Sequence, residues 1–200
     1  LALKSDYQRG QRELDATRKK LILLAEEARA EAVGLVEADE YFQFYASPFE
    51  TFQILDIESP SELGVKTIQR AKKILLQEID LNDGKVSWLE NYSIDKSRAL
   101  ALEDELHDDV KREHHWAVFQ NKTLLRFLTR GDIEHFLFSD DYFPRETLER
   151  LENDPDFLCF LSKPFARQYN FILTRAIDRR LLSLVEALFD GRRWVDPEDD

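Results

Sequence analysis

Residues 106–116, "LHDDVKREHHW", gather three of the chain's four histidines beside two aspartates and a lysine–arginine pair. Two readings compete, and the choice decides both the fold of the middle and whether chemistry happens there. On one unbroken helix, Glu103, His107 and His114 fall at spacings of four and seven and share a face, with Asp108 able to swing in beside them. A paired His and Asp of that kind holds a metal and activates water in metal-dependent phosphohydrolases. Against it, the adjacent His114 and His115 point about 100° apart on a helix. The HExxH spacing is absent, and the only other histidine is His135, in "GDIEHFLF". The second reading is a polar corner between two helices. Asp108 and Asp109 are good N-caps for a following helix, and negative charge belongs at its N-terminus. Lys111 and Arg112 then lie one turn in, able to pair back with Glu103, Asp104 or Glu105, while Trp116 and Phe119 face a core. The corner is the reading adopted. It assigns no catalytic residue, no metal ligand and no cofactor-binding residue, and expects surface or half-buried histidines.

Upstream, residues 5 to about 45 read as one long helix. Leu14, Leu21, Ala28 and Leu35 recur every seven residues, with Leu24, Ala25, Ala32 and Val36 widening the stripe. Gly34 is a weak spot worth about 1 kcal/mol against Ala. Pro48 biases Ser47 away from helical angles and marks the boundary. A short helix then carries Phe49 and Phe52, and a second, with Val65, Ile68, Ala71, Ile74, Leu75 and Ile79, stops at the turn residues Asn82, Asp83 and Gly84. Ser93 and Asp95 offer caps for a third, bearing Ala99, Leu100, Leu102 and Leu106.

Downstream, "WAVFQNKTLLRFL" reads as one periodic helix closed by Gly131. "GDIEHFLF", "SDDYFP" and "PRETLERLEN" follow as a short helix, a turn and a helix with Pro144 near its start. After "DPDFLCFLS", Pro164 opens a long final helix with Tyr169, Ile172, Leu173, Ala176, Ile177, Leu181, Leu184, Val185 and Leu188 on its stripe. Strand-like alternation is scarce, and no repeat of 20 to 50 residues is visible. The fold expected is all-α: a long amphipathic helix over 1–46, a helical domain over 47–120 and a C-terminal helical subdomain over 121–200.

Residues 47–116 resemble a J domain, the small helical module that engages seventy-kilodalton heat-shock chaperones. "SPFETFQILDIE" is similar to that family's opening short helix. "IQRAKKILLQEI", from Ile68, is similar to its second helix, with Ala71 where the family keeps a small residue. "ALEDELHDDVKREHHW" looks like the end of its third helix, with Leu106, Asp108, Lys111 and Arg112 in the family's positions. The His-Pro-Asp that activates the chaperone falls in this register near Asp80-Leu81-Asn82, where histidine and proline are both missing. The resemblance therefore implies a degenerate J-like module that does not stimulate a chaperone ATPase.

The charge of −12 argues against a nucleic-acid partner and against an anionic membrane surface. With 43% apolar residues and 14 phenylalanines the chain is globular rather than a disordered acidic tail. A single cysteine, Cys159, excludes an internal disulfide and a cysteine-built zinc site. Its place in "FLCFL" predicts a buried, inert thiol, and a reducing cytoplasm fits. No signal peptide and no apolar run of about 18 residues is present. The chain opens at Leu1, holds no Met and ends in "WVDPEDD", which reads as the start of a linker, so a piece of a larger protein is expected. Together these readings favour a non-catalytic protein-interaction or scaffolding segment with protein partners. Its contact residues are Leu14, Leu21, Ala28 and Leu35 on the first helix, which also offers a homo-oligomer contact, and Asp108, Lys111 and Arg112 at the corner. The alternative is a metal-dependent hydrolase built on the histidine and aspartate cluster near 107–115.

Overall fold

The computed structural model describes residues 2–38, 44–89, 93–133 and 153–190, with side chains of the first segment from residue 12 to 32. The described residues are all-α. In chain order the helices are α1 (Ala2–Ala38), α2 (Pro48–Thr51), α3 (Val65–Leu81), α4 (Lys96–His107), α5 (Asp109–Gln120), α6 (Lys122–Arg130), α7 (Pro155–Asp178) and α8 (Leu182–Asp190), with a 3-10 turn at Pro60–Glu62. The sole extended pairing among the described residues is an isolated antiparallel bridge between Lys85 and Ser93. No described helix is long and apolar enough to cross a membrane.

At about 1.5 Å per residue the 37 residues of α1 reach about 55 Å. The helix does not continue to residue 45: Phe44 lies in a bend and Tyr45, Ala46 and Ser47 are non-helical. Ser47 takes an extended φ of −74° and ψ of 118° as N-cap of α2, with Pro48 in the first turn, as the residue before a proline should. Ala28 and Ala32 of α1 are buried. Their small size lets α8 approach α1 closely. Glu31 of α1 accepts the backbone N–H of Leu184 at 2.8 Å, satisfying one of the donors that every helix start leaves open.

The middle is a stack of short helices. α3 packs on α4, α4 on α5, α5 on α6, and α2 lies against both α4 and α5. Ile68, Leu75 and Ile79 are the buried stripe of α3, and Ala99, Leu102 and Leu106 that of α4. Asp95 caps α4, accepting from the Arg98 N–H. The expected helix over 116–128 is interrupted at Asn121, whose side chain accepts from Leu124 N–H and starts α6. An asparagine that can cap competes with helix continuation, and here it wins. Gly131, at φ 65°, ends α6 as expected.

The C-terminal helix differs from the expectation at its start and by a break in its middle. Asp154 caps α7 by accepting from Phe157 N–H, with Pro155 in its first turn, so the helix begins nine residues before Pro164 and contains it. An internal proline forfeits a backbone bond and costs about 3 kcal/mol in an isolated helix. Burial of Phe157, Leu161 and Phe165 on either side of it offsets that loss. The stripe then breaks between Ile177 and Leu182. Arg180 adopts φ 59°, its N–H bonds Ile177 O, and Leu181 N–H bonds Ala176 O. This is a Schellman cap built on arginine instead of glycine. One contiguous core runs from Ala32 through Phe49, Leu75, Leu102, Val118 and Phe127 to Phe165 and Leu188.

Candidate functional site

Asp108 ends α4 and caps α5 at once. Its φ of −81° and ψ of 116° take it out of the helix, and its carboxylate accepts from the N–H groups of Val110 and Lys111 at 3.0 and 3.1 Å. Those hydrogen bonds hold the Asp108 carboxyl below its ordinary range. The corner is therefore the one the sequence implies, but its charges pair differently. Arg112 folds inward, donating to the Leu106 carbonyl and pairing with Asp109, not with the carboxylates of α4. Glu103 goes to Lys72 at 2.8 Å and clasps α3 to α4. Lys111 stays exposed.

Turning the chain at Asp108 sends the three histidines to three different places. His107 is exposed, 3.8 Å from Glu103. His114 is buried between Phe157 and Phe160 of α7, 3.7 Å from Asp154. His115 is only 2% exposed, so the expected surface or half-buried position holds for neither of the adjacent pair. Among the described residues no group of three or more potential ligands is placed to hold a metal. His135, with "SDDYFP" and all of "PRETLERLEN" but its last residue, lies outside the described residues.

His115 is the centre of a polar chain that sequence spacing does not reveal. Its Nε2 lies 3.0 Å from Oε2 of Glu105 on α4, and its Nδ1 lies 2.8 Å from the Tyr45 hydroxyl, seventy residues upstream. An ionised carboxylate only accepts, so Nε2 carries the proton and Nδ1 accepts the Tyr45 O–H. Burial, with the Phe160 ring edge-on at 4.9 Å, pushes the imidazole below its usual pKa, opposed by Glu105. Burial is the largest single influence on the Glu105 carboxyl and pushes it up, but the hydrogen bond and charge of His115, with the charges of Arg98 and Lys111, together outweigh it and its pKa falls. A phenol, imidazole and carboxylate in line could move a proton, yet both the phenol and the imidazole are buried. A general base must reach the proton it abstracts. This chain holds the segment after α1 against α4 and α5.

A cleft of about 220 Å³ lies elsewhere, lined by Glu50, Gln53, Leu55, Trp88, Leu89, Thr129 and Arg130. Burial raises the Glu50 carboxyl despite Arg130 and Lys122 nearby. Gln53 stands at φ 52°, a conformation few non-glycine residues adopt. Trp88 donates its indole N–H to the Thr51 carbonyl at 3.1 Å. The volume is below the roughly 300–1,000 Å³ of small-molecule sites. No spacing in the sequence unites these residues, which come from three separate elements.

The expected contact stripe on α1 divides. Ala28 is buried against the body, Leu14 and Leu21 are 71% and 61% exposed, and the Leu35 side chain lies outside the described set. Ile22 and Leu23 are exposed beside them. Cys159 is also exposed, contrary to the expectation of a buried thiol, because α7 turns Phe157 and Leu161 inward instead. Comparison with known proteins finds no family model, curated protein or solved structure that matches the chain.

Proposed function

We propose that the chain is a non-catalytic protein-interaction or scaffolding segment in which a degenerate J-like middle, residues 47–116, carries a projecting helix. The observation that supports this most directly is α1. Among the described side chains of α1, Ala28 and Ala32 are buried against the body, while Leu14, Leu21, Ile22 and Leu23 ahead of them are exposed. Leu14 and Leu21 share one face, and a partner that covers them recovers hydrophobic stabilisation that water denies them. The J-like part of the reading rests on the α3–α4 pair and the Asp108 corner that leads into α5. Where that family bears its His-Pro-Asp, Asp80 is instead paired with Lys96 at the start of α4.

The test is affinity capture by the full chain and by a Leu14→Asp, Leu21→Asp variant, with circular dichroism confirming equal helicity. Loss of captured proteins by the variant is expected, and identical capture overturns the reading. No stimulation of a seventy-kilodalton chaperone ATPase is expected from either protein.

A further inference from the structure

The seam of α1 that buries Ala28 and Ala32 continues toward the N-terminus as Leu14, Thr17, Leu21 and Leu24, spaced three and four apart. Ser183 and Leu184, which open α8, meet Glu27 and Glu31, so α8 takes up the seam there. Leu14 and Leu21 ahead of it are exposed, and Leu24 is half-buried at the junction. Exposed charges flank this open stretch, Arg18 on one side and Lys20 on the other, with Glu13 one heptad before Lys20. Across residues 12–20 the bases Arg12, Arg18, Lys19 and Lys20 outnumber the acids Glu13 and Asp15, in a chain whose total charge is −12.

That placement selects among occupants. If two copies paired antiparallel with Leu14 against Leu24 and Thr17 against Leu21, the flanking positions would set Lys20 against Lys20 and Arg18 against Arg18. Like charges at those positions oppose pairing. A parallel pair would bring together two seams that α8 already fills from Ala28 onward. Both arrangements of a second copy are therefore disfavoured. We infer that the open seam of α1, Leu14–Thr17–Leu21–Leu24, takes an amphipathic helix of a different protein whose apolar stripe is flanked by carboxylates, set against Arg18 and Lys20. The inference rests on the interaction reading above and names the chemistry of its partner. Carboxylates there turn the two flanking bases from a barrier into a source of specificity and of faster encounter at low salt.

The probe is a labelled three-heptad peptide with leucine at the seam positions and glutamate at the flanks, with a twin carrying lysine at the flanks. Fluorescence anisotropy on the full chain should show the glutamate peptide bound and its lysine twin not. Affinity should fall about tenfold between about 0.05 and 0.5 M salt as the charges are screened. Arg18→Glu with Lys20→Glu should move the preference to the lysine twin, and Leu21→Asp should abolish binding of either. These positions are exposed, so the variants keep the fold. Equal binding of the two peptides, both lost with Leu21→Asp, overturns the acidic partner while sustaining the interaction face. Binding of neither overturns the inference, and the capture experiment then judges the interaction reading separately. A concentration-dependent dimer in sedimentation, dissolved by Leu21→Asp, assigns the seam to a second copy and overturns it also.

Discussion

Tyr45, His115 and Glu105 form the polar contact on which single substitutions have the most leverage, because two of the three are buried and each satisfies another. Tyr45→Phe removes the O–H that Nδ1 accepts and leaves a buried acceptor open, which costs about 1–3 kcal/mol. Chemical denaturation should show a lower midpoint with an unchanged slope. The same imidazole predicts a pH dependence. In the unfolded chain it titrates near 6.5, and burial holds the folded value below that. As pH falls through about 6.5 the unfolded state takes up a proton that the folded state refuses. Stability from this group is thus complete above that pH and drains away as pH drops toward the folded value. The thermal midpoint of the native protein should fall between pH 7.5 and 5.5 by more than that of His115→Gln, in which the slope flattens. Equal slopes in the two proteins would show that His115 does not titrate with folding. At the corner, Asp108→Ala removes acceptance from two N–H groups and should lower the thermal midpoint, with faster hydrogen exchange at the start of α5.

Helix boundaries show where sequence patterning carries and where it stops. α3, α4 and the start of α5 were legible because Asn82, Asp95 and Asp108 are caps or turn residues standing beside a 3.6-residue apolar period. The break at 179–181 was not, since the left-handed position that usually signals itself with glycine is occupied by Arg180. Nor was the early start of α7, where a proline expected to begin a helix lies inside one. Two substitutions of opposite sign test this account of the caps. Arg180→Gly relieves a left-handed side chain and should raise stability by about 1 kcal/mol, or about 2–4 °C for a chain this long. Gly131→Ala, at φ 65°, should lower it by a similar amount. The polar chain through His115 was illegible for a different reason. Its members are separated by ten and by seventy residues, and only tertiary packing brings Tyr45 to α5.

Across the whole molecule the first and last described helices lie together, although the residues that meet are far apart in sequence. Ala32 is fully buried there and belongs to the common core. Ala32→Leu should overpack the contact and cost about 1–3 kcal/mol, with greater hydrogen exchange in α8 than in α4 as the local signature. The pairing also sets a schedule for synthesis. Glu31 and the Leu184 amide it receives are 153 residues apart, and a ribosome adds roughly 5–20 residues per second. The alanine face of α1 must therefore wait roughly 8–30 s after emerging before its mate exists. Throughout that interval Ala28 and Ala32 stand open on the nascent chain, so this part of the core closes only once residue 184 has been made.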